Sequence, residues 1–448
     1  MIENYSGPKI VSGPPGPIVS AILEESGINA ETYSSPIVKR ARGIYVEDPD
    51  GNVFLDLISG RCVVNTGYNH PYVTRAIKEQ IDQTIHWQTE GSYKLLERLS
   101  KLTGKREMQV YWGQSGSMVN EFAMKAVRRA TQRPYILSFT GSYHGSSMGA
   151  LSLSGYDPSM KRHYGPTVTG IFHVPYAACY RCPMKHNYPD CEFACLSYIE
   201  DVALKSYIPA DEVAAIFVEP IQGDSGWYVP PEGWHRKLKE ICHEHEILLV
   251  ADEVQTAFGR TGEWLGMDHW NVKPDITLLG KSISSGVPLS ACLLPKKLLE
   301  STDSEPIPLH AQSFSANPLG IAAAHATLDV IESENLCEHS KETGAYMRKR
   351  LLELMENYSL IGDVRGLGLL IGVEIVKERD EKNPAPKKAD AICKEAFKRG
   401  VFMLNMGSYG GRALRIAPPL IINEVQADKA LEIIEESIEL VEGKNYSL

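Results

Sequence analysis

The chain has 448 residues, 43% of them hydrophobic and 23% charged, which excludes a disordered tail or collagen-like repeat and suggests about two or three structural units. A formal net charge of −10 and a pI near 5.8, with no Lys/Arg tract, argue against a nucleic-acid partner; the longest apolar runs, Ile247–Ala251 and Leu289–Pro295, fall far short of the about 20 residues that span a bilayer. Met1–Ile10 has no basic-then-apolar leader and the nine cysteines are an odd number, so the expectation is a soluble cytoplasmic enzyme that binds neither nucleic acid nor membrane.

In chain order, Gly7-Pro8 and Gly13-Pro14-Pro15-Gly16-Pro17 cannot continue a helix and predict an extended arm. Gly43–Asp56 reads as a hairpin, two β-rich runs around a Pro-Asp-Gly-Asn turn. From about residue 94, short apolar runs at Gln109–Trp112, Tyr135–Thr140, Ala214–Glu219, Ile247–Val254 and Asp275–Leu279 alternate with helical stretches such as Met118–Ala130 and Gly233–Glu246. That alternation predicts an α/β fold with a mainly parallel sheet covered on both faces. After Asn317-Pro318 come helices to about Glu334 and over Glu338–Glu356, then a smaller α+β unit with strands at Ile371–Val376 and Ala413–Ile416 and helices at Ala389–Arg399 and Val425–Leu440. The expected organisation is an arm and part of a small domain over residues 1–75, a large domain over 76–325 and a small domain over 326–448.

Two strands end in polar residues. Val250-Ala251-Asp252-Glu253-Val254-Gln255 and Asp275-Ile276-Thr277-Leu278-Leu279-Gly280-Lys281 each deliver a group at a strand's C-terminal edge, where parallel α/β sheets bind ligands. A lysine there can form a Schiff base with an aldehyde, and an acid can hold a pyridine nitrogen protonated; a surface lysine and a strand-end acid are the plain alternative. Gly113-Gln114-Ser115-Gly116-Ser117 opens a helix and can cradle a phosphate. Gly141-Ser142-Tyr143-His144-Gly145 can offer an aromatic ring for stacking. Arg415 sits inside the apolar run Leu414–Pro419 and needs a partner, either a substrate carboxylate or a structural acid.

Together these residues carry a resemblance. From about Pro36 to Leu440 the chain resembles class III (ornithine/GABA-type) aminotransferases of the fold-type I pyridoxal phosphate (PLP) enzymes. The motifs are Leu249 through Ala251-Asp252-Glu253-Val254-Gln255-Thr256, Gly259-Arg260-Thr261-Gly262, Pro274-Asp275 and Gly280-Lys281. The resemblance implies a large domain with a seven-stranded-type, mainly parallel sheet plus a small α+β domain, PLP as cofactor, and a homodimer or dimer of dimers with shared active sites. It also implies roles. Lys281 is the cofactor-binding lysine and proton shuttle, Asp252 the partner of the pyridine nitrogen, and Gln255 the neighbour of the phenolic oxygen. Ser115, Gly116 and Ser117 match the phosphate loop, Tyr143, next to His144, matches the stacking ring, and Val254 the opposite ring face. Glu219, in Val218-Glu219-Pro220, matches an acid behind the cofactor; Ser313 stands where the family usually has a Thr that reaches the phosphate across a dimer interface; Arg415 matches the arginine that binds the α-carboxylate.

The reaction implied is transfer of an amino group from an amino acid or ω-amine to an oxo acid, pyruvate or 2-oxoglutarate. The chain departs from that pattern in places. Asp224, in Gln222-Gly223-Asp224, replaces the usual Glu and also resembles the related amino-acid racemases and epimerases, where an Asp can serve as a second base opposite Lys281. Ser146 stands where glutamate-using members often carry Arg, which argues against the usual 2-oxoglutarate contact and makes pyruvate an alternative acceptor; Arg61, in Ser59-Gly60-Arg61-Cys62, is a compensating cation or a surface or interface salt bridge. Loss of a Gln at that position places a dialkylglycine-type decarboxylating aminotransferase third. Finally, Cys179, Cys182, Cys191 and Cys195 lie outside the family motifs, and their C-x2-C-x8-C-x3-C spacing suits either a structural zinc or free thiols.

Overall fold

The computed structural model describes residues 7–29, 33–300 and 310–443. The chain forms two compact units: one from Met1–Thr74, Gly259–Gly262 and Val330–Leu448, the other from Arg75–Phe258 and Glu263–Asp329.

The second unit is built on a seven-stranded sheet. Its strands are β1 (Met108–Gly113), β2 (Tyr135–Phe139), β3 (Ile171–Val174), β4 (Val213–Val218), β5 (Leu248–Asp252), β6 (Ile276–Leu279) and β7 (Ser290–Pro295). The spatial order is β1-β7-β6-β5-β4-β2-β3. Pairing is parallel from β6 through β5, β4 and β2 to β3; β7 runs antiparallel to both β1 and β6. Every residue of β4 is buried, as its unbroken apolar run requires of a strand covered on both faces. Helix α1 (Gly116–Thr131) turns Val119, Phe122, Ala123, Ala126 and Val127 onto the sheet, in one core with Phe217, Val250 and Ile276. That spacing is one helical face, and burying a Phe or Val there contributes about 1.5–3 kcal/mol per side chain. Helix α2 (Trp234–Glu244) precedes β5.

The first unit carries two four-stranded sheets. The expected hairpin is present: Tyr45–Glu47 pairs antiparallel with Val53–Asp56, and its turn closes because Asp48 accepts the Asn52 N–H (2.9 Å) while Gly51 takes a positive φ of 84°. The other sheet runs Ile361–Leu367, Leu370–Ile375, Ala413–Ile416, Leu404–Met406, antiparallel throughout. Helices Leu336–Asn357, Pro386–Lys398 and Glu424–Glu442 belong to the same unit, the last opened by a reciprocal Asn423–Gln426 capping box. The proline-rich arm is less extended than expected, because a helix starts at Pro17 and runs to Glu25; proline suits a first helical turn, whose N–H groups lack partners anyway. Among the described residues no helix is long and apolar enough to cross a membrane.

Candidate active site

The segments that follow β1, β2, β4, β5 and β6 line one cavity of about 180 Å³ within the second unit. Asp252, the last residue of β5, is buried there. One carboxylate oxygen accepts the Val254 N–H at 3.1 Å. The other accepts from the Asn120 amide at 2.9 Å and faces His144 Nδ1 at 2.7 Å. An ionised carboxylate can only accept, so His144 carries its proton on Nδ1. This leaves His144 Nε2 and Asn120 Oδ1 buried without hydrogen-bond partners, and both residues line the cavity.

Lys281 follows β6 and lines the same space. It is held at φ +44°, in the left-handed region, at a cost of about 1–3 kcal/mol for a side chain with a Cβ. Such strain persists where surrounding packing enforces it, most often at functional sites. Val254 lies between Gly116 and Gly280: a Cβ at those glycines would approach its methyl groups to 3.1 and 3.3 Å. Ser115 caps α1, its hydroxyl accepting the Met118 N–H at 3.4 Å, while Gly116 and Ser117 reach the cavity. The open N–H groups of that sixteen-residue helix form an anion cradle.

Across from these, Glu219 joins two loops. One oxygen accepts the Tyr143 N–H and the other the Gly223 N–H, both at 2.9 Å. Burial pushes its pKa up to about 7, with the nearby His144 pulling it down and Asp252 raising it. Gln255 accepts from the Trp227 indole at 2.8 Å. Tyr143, Asp224 and Gln255 all line the cavity.

A profile of the family "Aminotransferase class-III" matches residues 28–438. The chain belongs to the class-III aminotransferase family. It is an enzyme of that PLP-dependent family. Alanine/serine racemase from Pyrococcus horikoshii is 40% identical to it over 447 residues, covering 96% of this chain and 92% of the relative. Isoleucine 2-epimerase from Lentilactobacillus buchneri is 37% identical, covering 93% and 92%. Among solved structures, a PLP-bound amine transaminase from an uncultivated Pseudomonas species superposes with a TM-score of 0.86 at 30% identity, covering 98% of this chain and all of that one (100%). The α/β architecture with its large seven-stranded sheet is that of the fold-type I transaminases.

Within this family frame, the cavity brings together Gly116, Ser117, Tyr143, His144, Glu219, Asp224, Asp252, Val254, Gln255 and Lys281. Sequence reasoning overlooked Asn120, and it quoted Gly145 and Thr256 within motifs without giving them a role. The one signal for Asn120 was a lone amide between Val119 and Phe122 in an apolar helical pattern; the structure buries it fully. Ser313 is exposed on its own chain and is not among the lining residues. Arg61 and Arg415 lie in the first unit. There Arg61 follows Gly60 with both at positive φ, and Arg415 is buried in its strand with Nη1 2.7 Å from Met406 Sδ.

The donor set fits PLP. Asp252 offers the carboxylate a protonated pyridine nitrogen needs, and the N-terminus of α1 offers a phosphate site. The unmet His144 Nε2 and Asn120 Oδ1 show that the cavity wall is polar and prepared for a polar ligand.

Proposed function

We propose that the protein is a PLP-dependent racemase or epimerase of α-amino acids. The observation that carries this reading is that Asp224 and Lys281, two proton-exchanging groups, line one cavity. It stands ahead of amino transfer because the relatives at 40% and 37% identity carry racemase and epimerase names.

When bound, PLP supplies the electron sink that makes the substrate's α-proton acidic. Lys281 would hold the cofactor aldehyde until a substrate amine displaces it, and its freed amine then exchanges the α-proton on one face. Asp224 returns or removes the proton on the other face; inversion needs two such groups. Asp252, fixed by His144 and Asn120, keeps the pyridine nitrogen protonated. Ser115, Gly116 and Ser117 would hold the phosphate, Tyr143 and Val254 would pack on the ring, and Gln255 would face the phenolic oxygen. Arg415 and Arg61 supply guanidinium groups for the acid groups of the substrate. Ser313 serves a second copy of the chain, as befits a hydroxyl exposed on its own. The unbridged state of all nine cysteines suits a reducing, cytoplasmic compartment.

Amino transfer to pyruvate or 2-oxoglutarate is the second reading, favoured by the transaminase likeness over 98% of the chain. The two differ in where the proton goes. Incubating the holoenzyme with single L-amino acids and no oxo acid separates them: loss of optical activity without release of an oxo acid supports racemisation. Stoichiometric oxo acid with no D-enantiomer overturns it. Asp224→Asn should cut racemisation at least about 100-fold, whereas Lys281→Ala should abolish it and leave no cofactor fixed to the chain by borohydride.

A further inference from the structure

One step behind the cavity wall stands an indole that takes no part in the steps above. Trp227 is among the largest fully buried side chains of the protein, and it is not one of the residues that line the cavity. It closes the turn that carries Asp224. Gly223 O accepts the N–H groups of Gly226 and Trp227 at 3.1 and 3.2 Å, and the Gln222 N–H donates to Tyr228 O at 3.1 Å. Two side chains fasten this turn to the loop after β2. The Ser225 hydroxyl donates to the Gly141 carbonyl, and the Gln222 amide to Thr140 O at 2.7 Å. Trp227 itself takes a φ of +58°, a conformation that a residue with a Cβ keeps only where its surroundings enforce it.

What the indole touches is Gln255, at 2.8 Å. Its single polar atom is an N–H, which can donate and never accept. A side-chain amide has an acceptor at one end and donors at the other, so the end that meets the indole has to be the oxygen. Gly223 presses on the same atom: a Cβ there would stand 2.5 Å from Gln255 Oε1 and 3.2 Å from its Cδ. Only a glycine lets the oxygen seat so close. Neither Trp227 nor Gly223 lines the cavity, whereas Gln255 does. With Oε1 engaged behind the wall, the end of the amide that serves the cavity is Nε2, a donor. A donor facing an ionised oxygen makes a charge-assisted bond, and an acceptor in its place would be repelled.

We propose that Trp227 is a positioning residue for the cofactor: its indole N–H fixes the Gln255 amide so that Nε2 donates to the phenolic oxygen of PLP. This rests on the reading above that Gln255 faces that oxygen. Because the same indole closes the Asp224 turn, one buried ring ties the placement of the second proton-exchanging group to that of the cofactor.

The test is a double-variant cycle on the full-length protein, read by the dissociation constant for PLP and by the visible absorbance of the bound cofactor. Gln255→Leu should weaken PLP binding about 10-fold or more, as expected for one hydrogen bond to a charged group, and change the visible spectrum. Trp227→Phe keeps a buried ring without the N–H; it should weaken binding about 3–10-fold and change the spectrum in the same direction. The double variant should bind no more weakly than Gln255→Leu alone, because a residue that acts through Gln255 then has nothing to act on. Should Trp227→Phe fail to fold, Gln255→Glu reads the same point without touching the ring. Its carboxylate still accepts from the indole but has nothing to donate, so at about pH 8.5 it should bind PLP at least as weakly as Gln255→Leu.

Wild-type affinity and spectrum in Trp227→Phe would overturn the proposal. So would losses that multiply in the double variant, which would make Trp227 a structural support alone. Wild-type affinity in Gln255→Glu would overturn it as well, since the oxygen end of the amide would then serve the cofactor. Wild-type affinity in Gln255→Leu would remove the placement of Gln255 on which the proposal rests, and the proposal with it.

Discussion

Two buried charges, one in each compact unit, are handled in opposite ways. Arg260, in the first unit, is fully buried. Its guanidinium donates to the carbonyls of Leu369 (2.9 Å) and Pro418 (2.6 Å), the hydroxyl of Ser59 (3.0 Å) and the amide oxygen of Asn65 (2.6 Å). Burial lowers its pKa, with Cys62 and Asp56 opposing. The charge is spread over four oxygens from separate stretches of chain, and it works as a tie. Asp252, in the second unit, is also surrounded, but two of its partners keep polar atoms unmet on the wall of a cavity. Both networks offset the cost of a buried charge. Arg260 Nε is also buried without a partner, but only the Asp252 network has its unmet atoms in residues that line the cavity.

The comparison makes its largest claim about stability. Arg260→Met leaves four buried oxygens without their donor and should cost at least about 3 kcal/mol, since each orphaned buried acceptor costs about 1–3 kcal/mol. Urea denaturation measures it; the folded fraction should keep its normal PLP absorbance. A variant that kept its stability but lost activity would erase the distinction between the two sites.

The reverse outcome is expected at the cavity. His144→Asn keeps a donor for Asp252 but shortens its reach, and should lower kcat/KM about 10–100-fold, the usual cost of disturbing a group that orients a cofactor ligand. Its urea midpoint should move far less than that of Arg260→Met. If it unfolded the protein as readily, the Asp252 network would be a tie like that of Arg260.

Much of this was legible in the chain. The strands carrying Asp252 and Lys281 show as apolar runs because both faces of the sheet are covered, and their ends are marked by the first polar residues. Strand β3 left no such mark: it is a four-residue edge strand, mostly half-exposed, with His173 in its middle. Strand β7 reads as one more apolar run, and nothing in its composition says that it runs antiparallel. At the site, Lys281, Asp252 and the Gly116-Ser117 turn were visible as motifs. Asn120 showed only as a lone amide at a position that helix periodicity makes part of the core, and only the carboxylate arriving from β5 explains it. The strain at Lys281 is likewise a tertiary property, since no local signal favours a left-handed lysine.

A finer test of how this protein treats buried titratable groups lies in pH. Burial pushes Glu219 and Glu253 up to about 7 and His173 and His235 down to about 4. The acids keep a proton in the folded state that the unfolded chain has lost, so their contribution is full below about pH 4.5 and is lost as pH rises through 7. The imidazoles do the opposite. Folded, they have shed a proton that the unfolded chain still binds, so their contribution is full above about pH 6.5 and is lost as pH falls through 4. Between about pH 4.5 and 6.5 the two pairs oppose each other and the stability curve should be shallow. His235 sits wholly inside the second unit, its Nε2 donating to Pro220 O at 2.9 Å with Trp234 and Trp270 against its ring. His235→Gln keeps a donor and removes the titration. Its urea midpoints across that window should therefore acquire an added slope, with stability falling by about 1.4 kcal/mol per pH unit relative to the wild type. An unchanged slope would mean that His235 titrates in the folded protein as it does in water, and that burial alone does not keep it neutral.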